Sequence, residues 1–206
     1  MDRKERLSAF NRGNILDAAK RLFLEKGIVN TTMDDISKEA DYSKSTVYTY
    51  FKSKDEIYTH IILEHFEILK TAISESLCNA PGFPEGFYAI CDAMLRSFKT
   101  SPLFFESLLG EIKLPGDDSA EVLTQILTVG EEINTLIWDY LKKCTEAGHI
   151  QIEIPLKIAT FALWASISGT IVMAHKKEAY INLAMGISKE EFMQDGFRML
   201  LNSIQS

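Results

Sequence analysis

The chain has 206 residues, of which 46% are hydrophobic and 25% charged, and its formal net charge is −7. That composition excludes a largely disordered chain, and the length is ample for a sizeable core. Cys78, Cys91 and Cys144 are widely spaced and form no C-x-x-C pair, which argues against a disulfide framework and for a reducing, cytoplasmic setting.

Apolar residues recur at spacings of three and four almost throughout, so the chain reads as all-α, with about nine helices. The N-terminal MDRKERLSAFNRG has no apolar run behind it and does not read as a signal peptide. The first helix is expected over 11–26, with Ile15, Ala19, Leu22 and Phe23 on one stripe and Gly27 as its left-handed stop. Thr32 is placed to cap a short helix over 33–40, and Ser43 to cap another over 44–51. Ser53 and Glu56 form a capping-box pattern that opens a long fourth helix, about 54–79. After the loop NAPGFPEG, Pro84 opens a fifth helix and Ser101-Pro102 a sixth. LPGDDS (114–119) reads as a break, followed by a seventh helix that stops at Gly148. Pro155 opens an eighth, to about His175, whose segment 158–174 is apolar but short for a membrane span and is expected to be buried. Residues 176–187 read as a helix extension and then a loop at Gly186. Ser188 with Glu191 opens a ninth helix, to about Asn202.

Charge is divided unevenly. Residues 1–54 hold 11 Lys and Arg against 8 Asp and Glu, a net +3; the remainder holds 11 against 21, a net −10. Within the basic part, SKSTVYTYFKSK (43–54) carries three lysines and no acid. Two short helices joined by a tight turn make a helix-turn-helix pattern. Val47 and Phe51 are four apart and can both face a small core of Ile15, Phe23, Ile36 and Ala40. That leaves Lys44, Ser45, Thr46, Tyr48 and Thr49 outward, the cation, hydroxyls and phenol that phosphates and base edges take.

The block 15–58 closely resembles the N-terminal domain of TetR-family transcriptional regulators. The resemblance rests on Ile15, Leu16, Ala18, Ala19, Leu22, Phe23, Gly27, Thr31, Thr32, Ile36, Ala40, Ser43, Tyr48, Tyr50, Phe51 and Lys54, all in register. Asp41 stands where the family has a turn Gly, Tyr42 replaces a small apolar residue, and Ser45 stands where Gly is common. The resemblance implies a DNA-binding domain over 1–53, with its helix-turn-helix at about 32–51, and a larger effector-binding and dimerisation domain over 54–206. It implies phosphate contacts at Thr32, Ser43, Tyr48, Tyr50 and Lys54, and groove contacts at Lys44, Ser45, Thr46 and Thr49. For Tyr50, half-burial in the core is the competing reading.

The C-terminal domain is rich in aromatics, most of them ordinary core. The resemblance implies an effector cavity there, for which Phe66, Tyr88, Met94, Phe98, Phe105, Trp138, Phe161 and Trp164 are the candidates. Few charges fall among them, so a largely apolar or aromatic effector is expected. The resemblance also implies a four-helix dimer interface from Ala162, Ala165, Ser166 and Gly169 on the eighth helix and Phe192, Phe197, Leu200, Leu201 and Ile204 on the ninth. The expected protein is a cytoplasmic homodimeric regulator, a repressor, acting on a palindromic double-stranded DNA operator and released by a small-molecule effector. The alternative is a helical small-molecule or protein-binding module without DNA binding.

No Gly-rich phosphate loop, G-x-S-x-G or H-E-x-x-H occurs, so no enzyme activity, cofactor or metal is expected. Glu146-Ala-Gly-His149 matches half of a di-iron pattern but is broken by Gly148 and lacks a partner motif. Glu56, His60 and Glu64 form one row on the fourth helix, which reads as an exposed, self-pairing face rather than a metal site.

Overall fold

A computed structural model describes residues 2–80, 82–107 and 120–205. Among these residues there are ten helices and no strand. They are α1 (Arg3–Lys26), α2 (Met33–Glu39), α3 (Lys44–Tyr50), α4 (Lys54–Asn79), α5 (Glu85–Thr100), α6 (Pro102–Ser107), α7 (Ala120–Glu146), α8 (Leu156–Lys176), α9 (Glu178–Met185) and α10 (Lys189–Ile204). The expected break at 114–119 lies outside the described residues.

The chain divides into two compact units. The first runs to Glu64 and takes in the start of α7 as far as Ile126; the second begins at His65 and resumes at Leu127. In the first unit α1 is longer than its apolar stripe. Asp2 and Glu5 form a capping box, each accepting the other's backbone N–H, and this starts the helix about three turns before its first buried residue, Ile15. Gly27 ends α1 with a positive φ of 81° but a ψ of 158°, extended rather than left-handed helical. The carbonyls just past α1 are met from the side instead. The Thr31 hydroxyl donates to Gly27 O at 2.8 Å, and Lys54 Nζ to Ile28 O at 2.7 Å.

Thr32 caps α2 through a reciprocal bond with Asp35, and Ser43 caps α3 by accepting from Thr46 N. Between them Asp41 takes the left-handed turn, at φ 58°. The core of this unit is built on Ile15, Ala18, Ala19, Phe23, Ile36, Val47, Phe51 and Ile57, all essentially inaccessible. Ala40, expected in that core, is half-buried.

In the second unit α5 buries one full face, from Phe87 through Ile90, Cys91 and Met94 to Phe98. Its core also includes Leu69 and Ile73 on α4, Phe104 and Phe105 on α6, Ile133 and Ile137 on α7, Ile167 and Ile171 on α8, and Phe197 and Leu201 on α10. Residues 176–187 form a separate helix, α9, rather than an extension and a loop. Lys177 leaves helical geometry at φ −113°, and Gly186 closes α9 in the left-handed conformation.

α8, expected to be buried, is buried along one face only. Thr160, Leu163, Ile167, Ser168, Ile171 and Ala174 face inward, while Ile158, Phe161 and Met173 are more than half exposed. It is the one helix among the described residues with the length and hydropathy to cross a membrane. α8 and α10 approach closely where Gly196 faces Thr170. A Cβ at 196 would sit 2.9 Å from Thr170 Cγ2. Thr170 is β-branched and its hydroxyl is committed to Ser166 O at 2.8 Å, so it has little freedom to turn away. Gly196→Val is therefore expected to lower stability by about 1–3 kcal/mol, the range for overpacking. A denaturant melt checks this, and an unchanged midpoint would show that the α8–α10 contact is loose.

Candidate nucleic-acid interface

α3 has two faces because of its spacing. Val47 and Phe51 are four apart and point into the core. Ser43, Lys44, Ser45, Tyr48 and Thr49 consequently face solvent, with Tyr48 45% exposed, and Thr46 and Tyr50 lie at the boundary. The face carries four hydroxyls, a phenol and an ammonium and, in α3 itself, no acid. The hydroxyls are pre-ordered. Ser43 Oγ lies 2.7 Å from Thr46 Oγ1 and 2.9 Å from Ser45 Oγ, and Thr49 Oγ1 donates to Ser45 O.

Two cations bear on the face in different ways. Lys44 Nζ lies 2.6 Å from Asp34 Oδ1, an exposed pair that raises the Lys44 pKa, so the ammonium stays charged. Exposed pairs of this kind contribute little, and a phosphate can compete for the lysine. Lys54 is different. Its amine is spent on the carbonyls of Ile28 and Val29, so it joins the start of α4 to the turn after α1. Thr32 Oγ1 donates to Asp35 Oδ2, and Lys26 with Thr32 holds the Asp35 carboxyl well below the usual carboxylate range.

Tyr50 is half-buried, the competing reading of the sequence. Its phenol oxygen accepts from Asn11 Nδ2 at 3.0 Å. Tyr42, which departs from the family pattern, is used in the same way. Its hydroxyl donates to Asn11 Oδ1 and accepts from Asn14 Nδ2. α1 thus grips α3 and its preceding turn through a polar seam of Asn11, Arg12 and Asn14. Sequence reasoning missed these three; the signal was a run of polar residues on the flank of an otherwise amphipathic helix. The row Glu56, His60, Glu64 does not pair with itself. Glu56 Oε2 accepts from Lys52 N, His60 meets Arg12, and Glu64 meets Lys20.

The effector candidates are spread over several environments. Met94, Phe98 and Phe105 are packed in the core of the second unit. Phe66 and Trp164 are half-buried. Tyr88 is exposed on α5, and Phe161 is 63% exposed on α8. Trp138 and Phe161 share an open cleft of about 370 Å³ with Glu131, Asn134, Thr135, Lys157 and Thr160. A buried polar pair among the core aromatics, which the candidate set omitted, is His65 and Ser97, 3.0 Å apart. Of the interface candidates, Phe197 and Leu201 are buried within the chain itself. Ala162 and Ala165 are exposed, while Ser166, Gly169, Phe192, Leu200 and Ile204 are intermediate.

A helix-turn-helix with a polar outer face is thus followed in the chain by a larger helical unit. Residues 15–61 match the bacterial regulatory proteins of the tetR family. A helix-turn-helix-type transcriptional regulator of Bacillus subtilis, YhgD, is 29% identical over 65% of this chain and 66% of its own. The biofilm-operon negative regulator IcaR of Staphylococcus epidermidis is 48% identical over 21% of this chain and 24% of its own. The fold likeness extends further than the sequence likeness. The fatty acid degradation regulator FadR of Bacillus halodurans superposes with a TM-score of 0.69, covering 93% of this chain and 94% of that one, at 15% identity. These relatives are transcriptional regulators rather than enzymes.

Proposed function

We propose that the chain is a cytoplasmic, sequence-specific DNA-binding regulator that works as a homodimer and represses until a small apolar or aromatic effector releases it. Residues 1–53 are the DNA-binding domain and 54–206 the effector-binding and dimerisation domain. The observation that carries the reading is the outer face of α3, where Lys44, Ser45, Tyr48 and Thr49 stand exposed on a helix anchored by Val47 and Phe51. Ser43, Thr46 and Thr32 complete the polar surface around it. Two such helices, related by a two-fold axis, read half-sites about one helical turn apart.

The exposed apolar face of α8, with Ala162, Ala165 and Gly169 as its small residues, supports a second copy packing there. In the regulatory step, an effector binds better to a state in which α4 has shifted. α4 carries Lys54 at its first turn, so its shift alters the spacing of the two α3 helices. Release can be no larger than the effector's differential affinity for the two states. IcaR is named a negative regulator, which favours repression.

The test is selection of bound duplexes from a random pool, followed by fluorescence anisotropy on the enriched site at two salt concentrations. An enriched inverted repeat that beats scrambled DNA, with affinity falling as salt rises, is the expected result. No enrichment together with no salt dependence would overturn the reading in favour of a helical binding module. Lys54→Ala is expected to weaken binding to all duplexes alike, and to lower stability by about 1–2 kcal/mol because the carbonyls of Ile28 and Val29 lose their donor. Binding that weakens with no change in the melt would mean that Lys54 serves the phosphate alone.

A further inference from the structure

We propose that Arg12 and His60 form a proton-sensitive brace that positions the C-terminal end of α3. The inference rests on the DNA-binding reading for its consequence, though not for its geometry. Arg12 lies on α1 and touches three things. Its Nη1 donates to Tyr50 O at 3.3 Å, its Nη2 meets His60 Nε2 at 2.5 Å, and its guanidinium lies 4.4 Å from the centre of the Phe51 ring. The Phe51 ring in turn meets the His60 ring edge-on, with centres 5.6 Å apart. α1, the end of α3 and α4 are thereby joined at one half-buried point. Asn11, the preceding residue, holds the Tyr50 phenol.

The chemistry of the pair dictates a protonation state. A guanidinium has only donors, so His60 Nε2 must present a lone pair, and the imidazole must be neutral. A protonated imidazole would set an N–H and a positive charge against the guanidinium. The charged groups around the pair do not remove that conflict. Glu56, one turn earlier on α4, bears on both and favours their charged forms, but its carboxylate already accepts from Lys52 N at 2.6 Å. Glu64, one turn later, is turned to Lys20 at 2.9 Å. α3 presents only the Phe51 ring and the Tyr50 carbonyl here. Burial first, and then Arg12, hold His60 below its ordinary value against the pull of Glu56.

The sign follows. At neutral pH the brace is closed. As pH falls below about 6.5, the unfolded chain takes up a proton that the folded chain refuses, so the stability of this unit declines. Lower still, His60 protonates in the folded chain, Arg12 is displaced, and the Tyr50 end of α3 is released. His60 and Arg12 are positioning residues, since they act on DNA through α3.

The experiment compares the full chain with His60→Gln, whose amide oxygen can accept from Arg12 at any pH. Amide hydrogen exchange of Val47 to Phe51 is measured without DNA between pH 8 and pH 5, corrected for the intrinsic pH dependence of exchange. Affinity for the selected duplex is measured over the same range. In the wild-type chain, protection and affinity are each expected to fall about tenfold more than in His60→Gln, the loss of one hydrogen bond to a charged group. The NMR titration midpoint of His60 should fall below 6.5 and coincide with the loss of protection. Identical pH profiles in the two chains, or a His60 midpoint unrelated to the loss of protection, would overturn the brace. If His60→Gln does not fold, the wild-type titration decides. If no duplex binds at pH 8, the DNA-binding reading fails, and the exchange measurement still decides the brace.

Discussion

Lys44→Ala/Tyr48→Ala is expected to reduce affinity for the selected duplex by about 100- to 1000-fold and to leave the melting curve where it was. Both side chains are exposed and neither packs in the core, so the fold should lose no more than about 0.5 kcal/mol. Each direct contact to a base edge or phosphate contributes about 1–3 kcal/mol, and every 1.4 kcal/mol is tenfold. Removing Lys44 also leaves Asp34 unneutralised on the same surface, which adds repulsion toward DNA. The two single variants separate the roles. Lys44→Ala should relax sequence preference or flatten the salt slope, and which of the two changes tells whether the lysine reads a base or a phosphate. A double variant that binds within threefold of wild type would mean that α3 does not face the DNA.

Phe51→Ala attacks the same helix from the other side. Phe51 is 1% exposed and sits where the guanidinium of Arg12, the ring of His60 and the core of the first unit meet. Truncation of a buried Phe lowers stability by about 3–5 kcal/mol, a large part of what a small domain holds. The variant is expected to lose DNA binding and to show an early unfolding transition in urea at 25 °C. Phe51→Leu, which keeps most of the volume, should recover much of the stability and little of the Arg12 contact. A loss below 1 kcal/mol for the alanine variant would show that the α3 end is held by the Asn11 and Arg12 bonds rather than by packing.

The capping side chains were legible because each acts within three or four residues. Thr32, Ser43 and Ser188 cap the helices their positions announce, and α4 begins and ends where its pattern does. The second half of the Ser53–Glu56 box was not foreseen. Ser53 Oγ accepts from Glu56 N as expected, but the Glu56 carboxylate takes the N–H of Lys52. The start of α1 was missed for a related reason. Leu7 and Phe10 are exposed, so no apolar stripe marks that segment, and only the Asp2–Glu5 box does.

Local spacing by itself determined that α3 would present Lys44, Ser45, Tyr48 and Thr49 while Val47 and Phe51 anchored it, because a period of 3.6 residues leaves no other arrangement. Partners distant in sequence were decided only by the fold. Lys54 reads as a phosphate contact at a helix start, yet its amine closes the carbonyls after α1, 26 residues away. His60 reads as one of an exposed row, yet it accepts from Arg12, 48 residues away. α8 reads as a buried helix, yet it keeps one apolar face in solvent, because the packing of α5, α9 and α10 determines which side is covered. A helix announces its faces through its period. What each face meets is set by chain segments whose approach no short window of sequence encodes.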